Sequence, residues 1–178
     1  MRLVPTVCSV AAAMTLTAGL ALLPAASAHA ALLGTITCEG SEFQTYGPSL
    51  TSTPTSTYIT TEDSMGTCVS TDTSLHGGIG YTQATDPTAS CDTLLATTTG
   101  QTTFIWSDGY YSTFDYTSTT TNVNGELVRT ETGTIVGGYF EGNIATLVAV
   151  LPTLDLSACQ SGGISNASGS ATLEILPL

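Results

Sequence analysis

The sequence has no lysine, and two arginines, Arg2 and Arg129, stand against 14 acidic residues. Nucleic acid and anionic lipid surfaces are bound largely through Lys and Arg neutralising phosphate charge, so neither is an expected partner. Histidine is equally scarce, at His29 and His76. Nucleophilic catalysis needs a base beside a hydroxyl or thiol. His76, in Ser74-Leu75-His76-Gly77-Gly78, has no such setting and reads as a loop residue ahead of a strand. Neither G-x-S-x-G nor H-E-x-x-H occurs. No two cysteines are spaced C-x₂₋₄-C, so zinc is not expected. Glu62-Asp63, Thr71-Asp72-Thr73 and Glu141-Gly142-Asn143 are fragments of calcium-type oxygen clusters and not a loop motif. The expectation is a chain with no cofactor and no metal.

The start is built for export. Met1-Arg2 leads into a mostly apolar run, Leu3 to Leu23, then Pro24 and the small-residue stretch Ala25-Ala26-Ser27-Ala28-His29-Ala30. These are the parts of a secretory signal. Cleavage after Ala30, in preference to Ala28, leaves residues 31–178 as one secreted domain with no membrane segment. A retained anchor is the competing reading, and Pro24 with the small-residue patch speaks against it. Removing Arg2 makes the net charge of −12 one unit more negative. Such a charge keeps the domain soluble and self-repelling, and it attracts cations and basic proteins.

Cleavage also removes Cys8, leaving Cys38, Cys68, Cys91 and Cys159, an even set that reads as two disulfides in an exported chain. Three pairings exist. The expected one is Cys68–Cys91, a local staple, with Cys38–Cys159 tying the first strand to the penultimate segment.

What the chain has in abundance is threonine, 32 residues of 31–178, recurring at alternate positions. Branching at Cβ favours strands. Expected strands include Thr35–Cys38, Glu42–Tyr46, Gly78–Thr85, Thr97–Ser107, Tyr110–Thr121, Glu126–Val136, Ile144–Leu151 and Ser170–Leu176, with Thr53–Thr61 as an edge strand because of Pro54. Asp108-Gly109 and Asn124-Gly125 mark hairpins. Leu154–Cys159 is long enough for one helical turn. Short strands separated by turns mean an antiparallel sandwich or barrel. The expected fold is a β-sandwich, immunoglobulin-like or related, of about eight or nine strands.

A two-residue Asp108-Gly109 loop would place Trp106 opposite Tyr111, Phe104 opposite Thr113 and Ile105 opposite Ser112. Both faces of the hairpin then carry aromatics, and a sandwich buries only one of them. Trp106, Asp108, Tyr110 and Tyr111 therefore form a candidate binding surface, with Trp106 as a core plug in the competing reading. Aromatic groups of this kind suit contact with an extracellular protein or glycan.

The stretches Thr37–Gly40, Tyr46–Thr51, Thr67–Ser70, Ile105–Gly109, Gly133–Gly142 and Leu154–Cys159 occur in this order. Together they resemble a family of small secreted β-rich proteins of actinobacteria, Streptomyces and its relatives. The resemblance covers nearly all of 31–178. It implies an exported β-rich domain with paired cysteines and brings no activity or site residue with it.

The expected function is a non-catalytic exported module that binds a protein or glycan or serves in the envelope or matrix. Two other classes compete. A protease inhibitor would present Ser64-Met65-Gly66-Thr67-Cys68 as a rigid loop. A two-carboxylate hydrolase would draw its acids from Asp108, Asp115, Glu131 and Glu141. One consequence is independent of this choice. Reduced, denatured residues 31–178 should give two fragments with trypsin, cut after Arg129, and many fragments by mass spectrometry would contradict the cation count.

Overall fold

The computed structural model describes residues 34–71, 74–124, 126–152 and 157–178. The expected signal segment lies outside them. Eight strands follow in order: β1 (Ile36–Leu50), β2 (Thr55–Ser70), β3 (Gly78–Ala89), β4 (Thr98–Trp106), β5 (Tyr111–Val123), β6 (Glu126–Gly138), β7 (Ile144–Leu151) and β8 (Ile164–Leu176). A 3₁₀ turn, Thr93–Leu95, lies between β3 and β4, and one helical turn, α1 (Ala158–Ser161), precedes β8.

Each strand pairs antiparallel with the next, and β8 returns to pair with β1, from Ile36↔Ile175 to Thr45↔Asn166. The fold is a closed up-and-down barrel and not the expected sandwich. A sandwich needs a break between two sheets, whereas here the ladder runs round without interruption. Alternation and turn residues are the same in both architectures, and the β1–β8 pairing separates them. Closure also leaves β2 paired on both sides, so it is no edge strand, and Pro54 sits in the β1–β2 connection ahead of it.

The hairpin at Asp108-Gly109 also differs from expectation. Trp106 N–H donates to Tyr110 O at 2.8 Å and Gly109 N–H to Trp106 O at 2.9 Å. The loop therefore has three residues, with Gly109 at φ 87° in the left-handed position of a bulged turn. The register moves by one, pairing Ile105 with Tyr111 and Phe104 with Ser112. At the β5–β6 hairpin Val123 pairs with Glu126 and Asn124 has φ 55°, as a two-residue primed turn requires.

The disulfides are Cys38–Cys68 and Cys91–Cys159, which corrects the expected pairing. Cys38 and Cys68 face each other across β1 and β2 near one end of the barrel. Cys91 and Cys159 lie in the β3–β4 and β7–β8 connections at the other. Strands of 13 residues span roughly 40 Å, so a Cys38–Cys159 bond would have to join opposite ends of the barrel, far beyond disulfide reach.

Alternate residues point inward, and the interior has two unlike halves. The end holding Cys38 is solid. Phe104, Trp106, Phe114 and Phe140 are fully or almost fully buried there, with Ile36, Met65, Ile135, Leu173 and Ile175 around them. Trp106 stacks on Phe104 with ring centroids 5.7 Å apart and meets Phe140 edge-on at 5.9 Å. Its indole N–H donates to Ser112 Oγ at 2.8 Å, which satisfies its one polar atom inside the core.

Glycines on β3 make room for these rings. A Cβ on Gly80 would lie 2.6 Å from the Phe104 ring, and one on Gly78 would lie 2.7 Å from that of Trp106. Gly80→Ala should cost about 2 kcal/mol by overpacking. Gly137→Ala, whose Cβ meets nothing closer than 3.9 Å, should be neutral or slightly stabilising. Chemical denaturation of both variants checks this, and equal midpoints would contradict the packing account.

Candidate functional site

The other half of the barrel is hollow. A cavity of about 410 Å³ opens toward the ends of β1, β3, β5 and β7, a size typical of small-molecule sites. Eight strands enclose an interior that side chains fill or that holds one small ligand; this barrel does the first at one end and has room for the second at the other.

The cavity exists because β3 and β4 part company. They pair only from Gly78↔Trp106 to Tyr81↔Thr103. Beyond that, Thr82, Ala84 and Asp86 of β3 and Thr98 and Gly100 of β4 line the opening, and Leu94 of the 3₁₀ turn lies across it. The Cys91–Cys159 bond ties this segment to α1, and Cys91 N–H donates to Thr51 O at 2.9 Å. Three connections are thus fastened together around the mouth.

The walls are apolar with hydroxyls interspersed, among them Leu50, Ile59, Leu127, Leu151, Thr61 and Ser118. Tyr46 and Tyr116 also line the cavity. The Tyr46 phenol donates to Gln44 Oε1. A Cβ on Gly100 would lie 2.5 Å from the Tyr116 hydroxyl, so that glycine admits the ring. Burial pushes both phenols above their ordinary range, helped for Tyr116 by Glu131 and for Tyr46 by Glu42.

The floor is ionic. Arg129 of β6 points inward, with 13% of its side chain accessible. One Nη donates to Glu42 Oε2 of β1, and the other lies 3.0 Å from Glu131 Oε1 in an ion pair that misses hydrogen-bond alignment. Asp63 of β2 completes the group, and all three acids are almost wholly buried. These residues meet because strand parity puts Glu42 on the face of Cys38, Asp63 on that of Met65, and Arg129 on that of Glu131.

Three carboxyls around one guanidinium cannot all ionise cheaply in a dry interior. Burial, reinforced by Glu42, pushes Asp63 up to about 8, so it carries a proton at neutral pH and shares a hydrogen bond with Glu42. Burial likewise pushes Glu131 up to about 7, against the pull of Arg129. The neighbouring carboxylates raise Arg129 despite its desolvation, so it stays charged. Glu131 is left as the acidic side chain that both lines the cavity and has an oxygen without an aligned donor.

The residues singled out from sequence fall elsewhere. Trp106 is 2% exposed and belongs to the core, so it is removed from the candidate surface. Tyr110 and Tyr111 are 61% and 51% exposed at the solid end, with Asp108 between β4 and β5 beside them. Tyr110 stacks on Tyr139 at 5.5 Å. Ser64–Cys68 is no loop; it lies within β2. Of the four acids considered for hydrolysis, Glu131 is inside while Asp108, Asp115 and Glu141 are on the outside, so they do not flank one site. Among the described residues no group of three or more His, Cys, Asp or Glu is arranged to hold a metal ion. The Glu42–Asp63–Arg129–Glu131 cluster was missed, apart from Glu131 as a hydrolase candidate and Asp63 in a calcium fragment. Its sequence signal is Arg129 standing two residues before Glu131 in a strand, where both share a face.

No family model, curated protein or solved structure matches this chain.

Unfolded, an Asp ionises near pH 4; folded, Asp63 keeps its proton to about pH 8. Between these values the folded state binds more protons, so stability falls as pH rises. Asp63→Asn, which stays neutral, should therefore gain stability relative to the native protein as pH rises, by about 4 kcal/mol between pH 5 and pH 8.5. Thermal unfolding at the two pH values checks this, and no relative gain between them would contradict it.

Proposed function

We propose that this chain is an exported, non-catalytic binding barrel that holds one small, mainly apolar molecule in its hollow half. The observation that carries the reading is the cavity of about 410 Å³, closed below by a buried ionic floor and open at the β3–β4 split. Apolar walls with a few convergent polar groups are the general form of such sites. Export is supported by the signal-like residues 1–30 and fits the two disulfides. Among the described residues no helix is long and apolar enough to cross a membrane.

A second reading rests on the outer surface. Ile79, Ile105 and Tyr111 form an exposed row across β3, β4 and β5, with Tyr110 at its end. Such a patch suits contact with an extracellular protein or glycan, the role first expected of Tyr110 and Tyr111.

The cavity reading is tested with the neutral fluorophore N-phenyl-1-naphthylamine. The native protein should bind it saturably at one site. Ser118→Leu and Ala84→Trp place bulk on two different walls, and each should weaken binding at least about tenfold with circular dichroism unchanged. Undiminished binding in both folded variants, or no saturable binding to the native protein, would contradict the reading.

A further inference from the structure

The chemistry of the floor says which head group the cavity accepts. Arg129, the one strong base among the described residues, is already engaged by Glu42 and Glu131. Its Nε lacks a partner and is buried as deeply as Glu131 Oε1, but the guanidinium charge is already balanced by the two carboxylates. An anionic head entering from the mouth would therefore meet no uncommitted positive charge. It would approach three carboxyl groups set against a single guanidinium. The cavity thus differs from one built to hold a carboxylate or phosphate, where an arginine offers its donors to the ligand.

The acceptor side is the reverse. Glu42 and Asp63 do not line the cavity, and although Asp63 shares its proton with Glu42, each keeps one buried oxygen without a partner. Glu131 lines the cavity, is 1% exposed, and has Oε1 without an aligned donor. A buried carboxylate oxygen in this position calls for a donor, and a positively charged donor answers it best. The mouth agrees in sign. Asp86 lines it, and the described exterior bears acids with no lysine or arginine, so cations are concentrated there.

We infer that the hollow half of the barrel takes amphiphilic amines, with the apolar body between Ile59, Leu94, Leu127 and Leu151 and the protonated nitrogen on Glu131. The inference rests on the cavity reading and adds the class of ligand. Gln44, Tyr46 and Tyr116 line the same cavity and offer neutral polar contacts to the remaining ammonium protons.

The test uses three probes of equal chain length, decylamine, decanol and decanoate, titrated by calorimetry into residues 31–178 at pH 8 below their micellar concentrations. Decylamine should bind about tenfold or more tightly than decanol, and decanoate more weakly than either. In Glu131→Gln the amine should lose about tenfold while decanol changes less than about twofold. Should Glu131→Gln not fold, the three-probe order in the native protein decides alone.

Decanoate binding as tightly as decanol, or decylamine binding no better than decanol, would overturn the inference while leaving the cavity reading intact. Decylamine binding that persists in folded Ser118→Leu would mark adsorption to the acidic exterior and would also overturn it. No binding of any of the three would overturn the cavity reading and the inference together.

Discussion

Arg129 is the pivot of the structure. It is the one strong base in residues 31–178, and it is inside the barrel, held by Glu42 and Glu131 from two different strands. Buried ions are retained at a cost in desolvation, and removing one partner leaves an uncompensated charge worth several kcal/mol. The cluster joins β1, β2 and β6 through the interior and fixes a polar layer across the barrel. Below it the space is packed with aromatic rings; above it the space is hollow. Without that layer the two halves of the interior would have no boundary.

The halves are also fastened differently. The solid end depends on Trp106, Phe104 and Phe140 filling room left by inward glycines, with Cys38–Cys68 joining adjacent strands. Phe140 adopts φ 63°, an uncommon conformation for a bulky residue, and its burial against Trp106 offsets the local strain. The hollow end keeps its ladders except between β3 and β4, and there it depends on connections. Cys91–Cys159 closes a separation of 68 residues and anchors the segment across the mouth, where the β3–β4 ladder has already opened. A covalent staple where the β3–β4 ladder has opened keeps the rim fixed without filling the interior.

Much of this was legible in the sequence, and the omissions have physical reasons. Strand positions followed from threonine alternation, and both hairpins from Asp108-Gly109 and Asn124-Gly125. The choice of sandwich over barrel failed because closure depends on Ile36 meeting Ile175, a contact that no local pattern encodes. The hairpin register differs because Gly109 takes the third loop position, which puts Ser112 in place of Tyr111 on the inward face that Trp106 shares with Phe104. The expected Cys68–Cys91 and Cys38–Cys159 pairs are wrong because Cys38 and Cys68 lie at one end of the barrel and Cys91 and Cys159 at the other, a placement that cysteine spacing does not carry. The ionic floor was hidden by the usual rule that apolar side chains point inward. In Glu42-Phe43-Gln44 the polar residues are inside and Phe43 outside, and only the parity of Cys38 shows this.

The central claim is that the ligand sits within the barrel and not on its outer aromatic row. Backbone amide shifts in ¹⁵N NMR spectra, followed as decylamine is added, address this most directly. The account predicts shifts at Arg129 and Glu131, at Ser118, and along the separated stretches of β3 and β4, with Ile79, Ile105 and Tyr111 unmoved. Shifts confined to Ile79, Ile105, Tyr110 and Tyr111, with Arg129 and Glu131 unchanged, would contradict it.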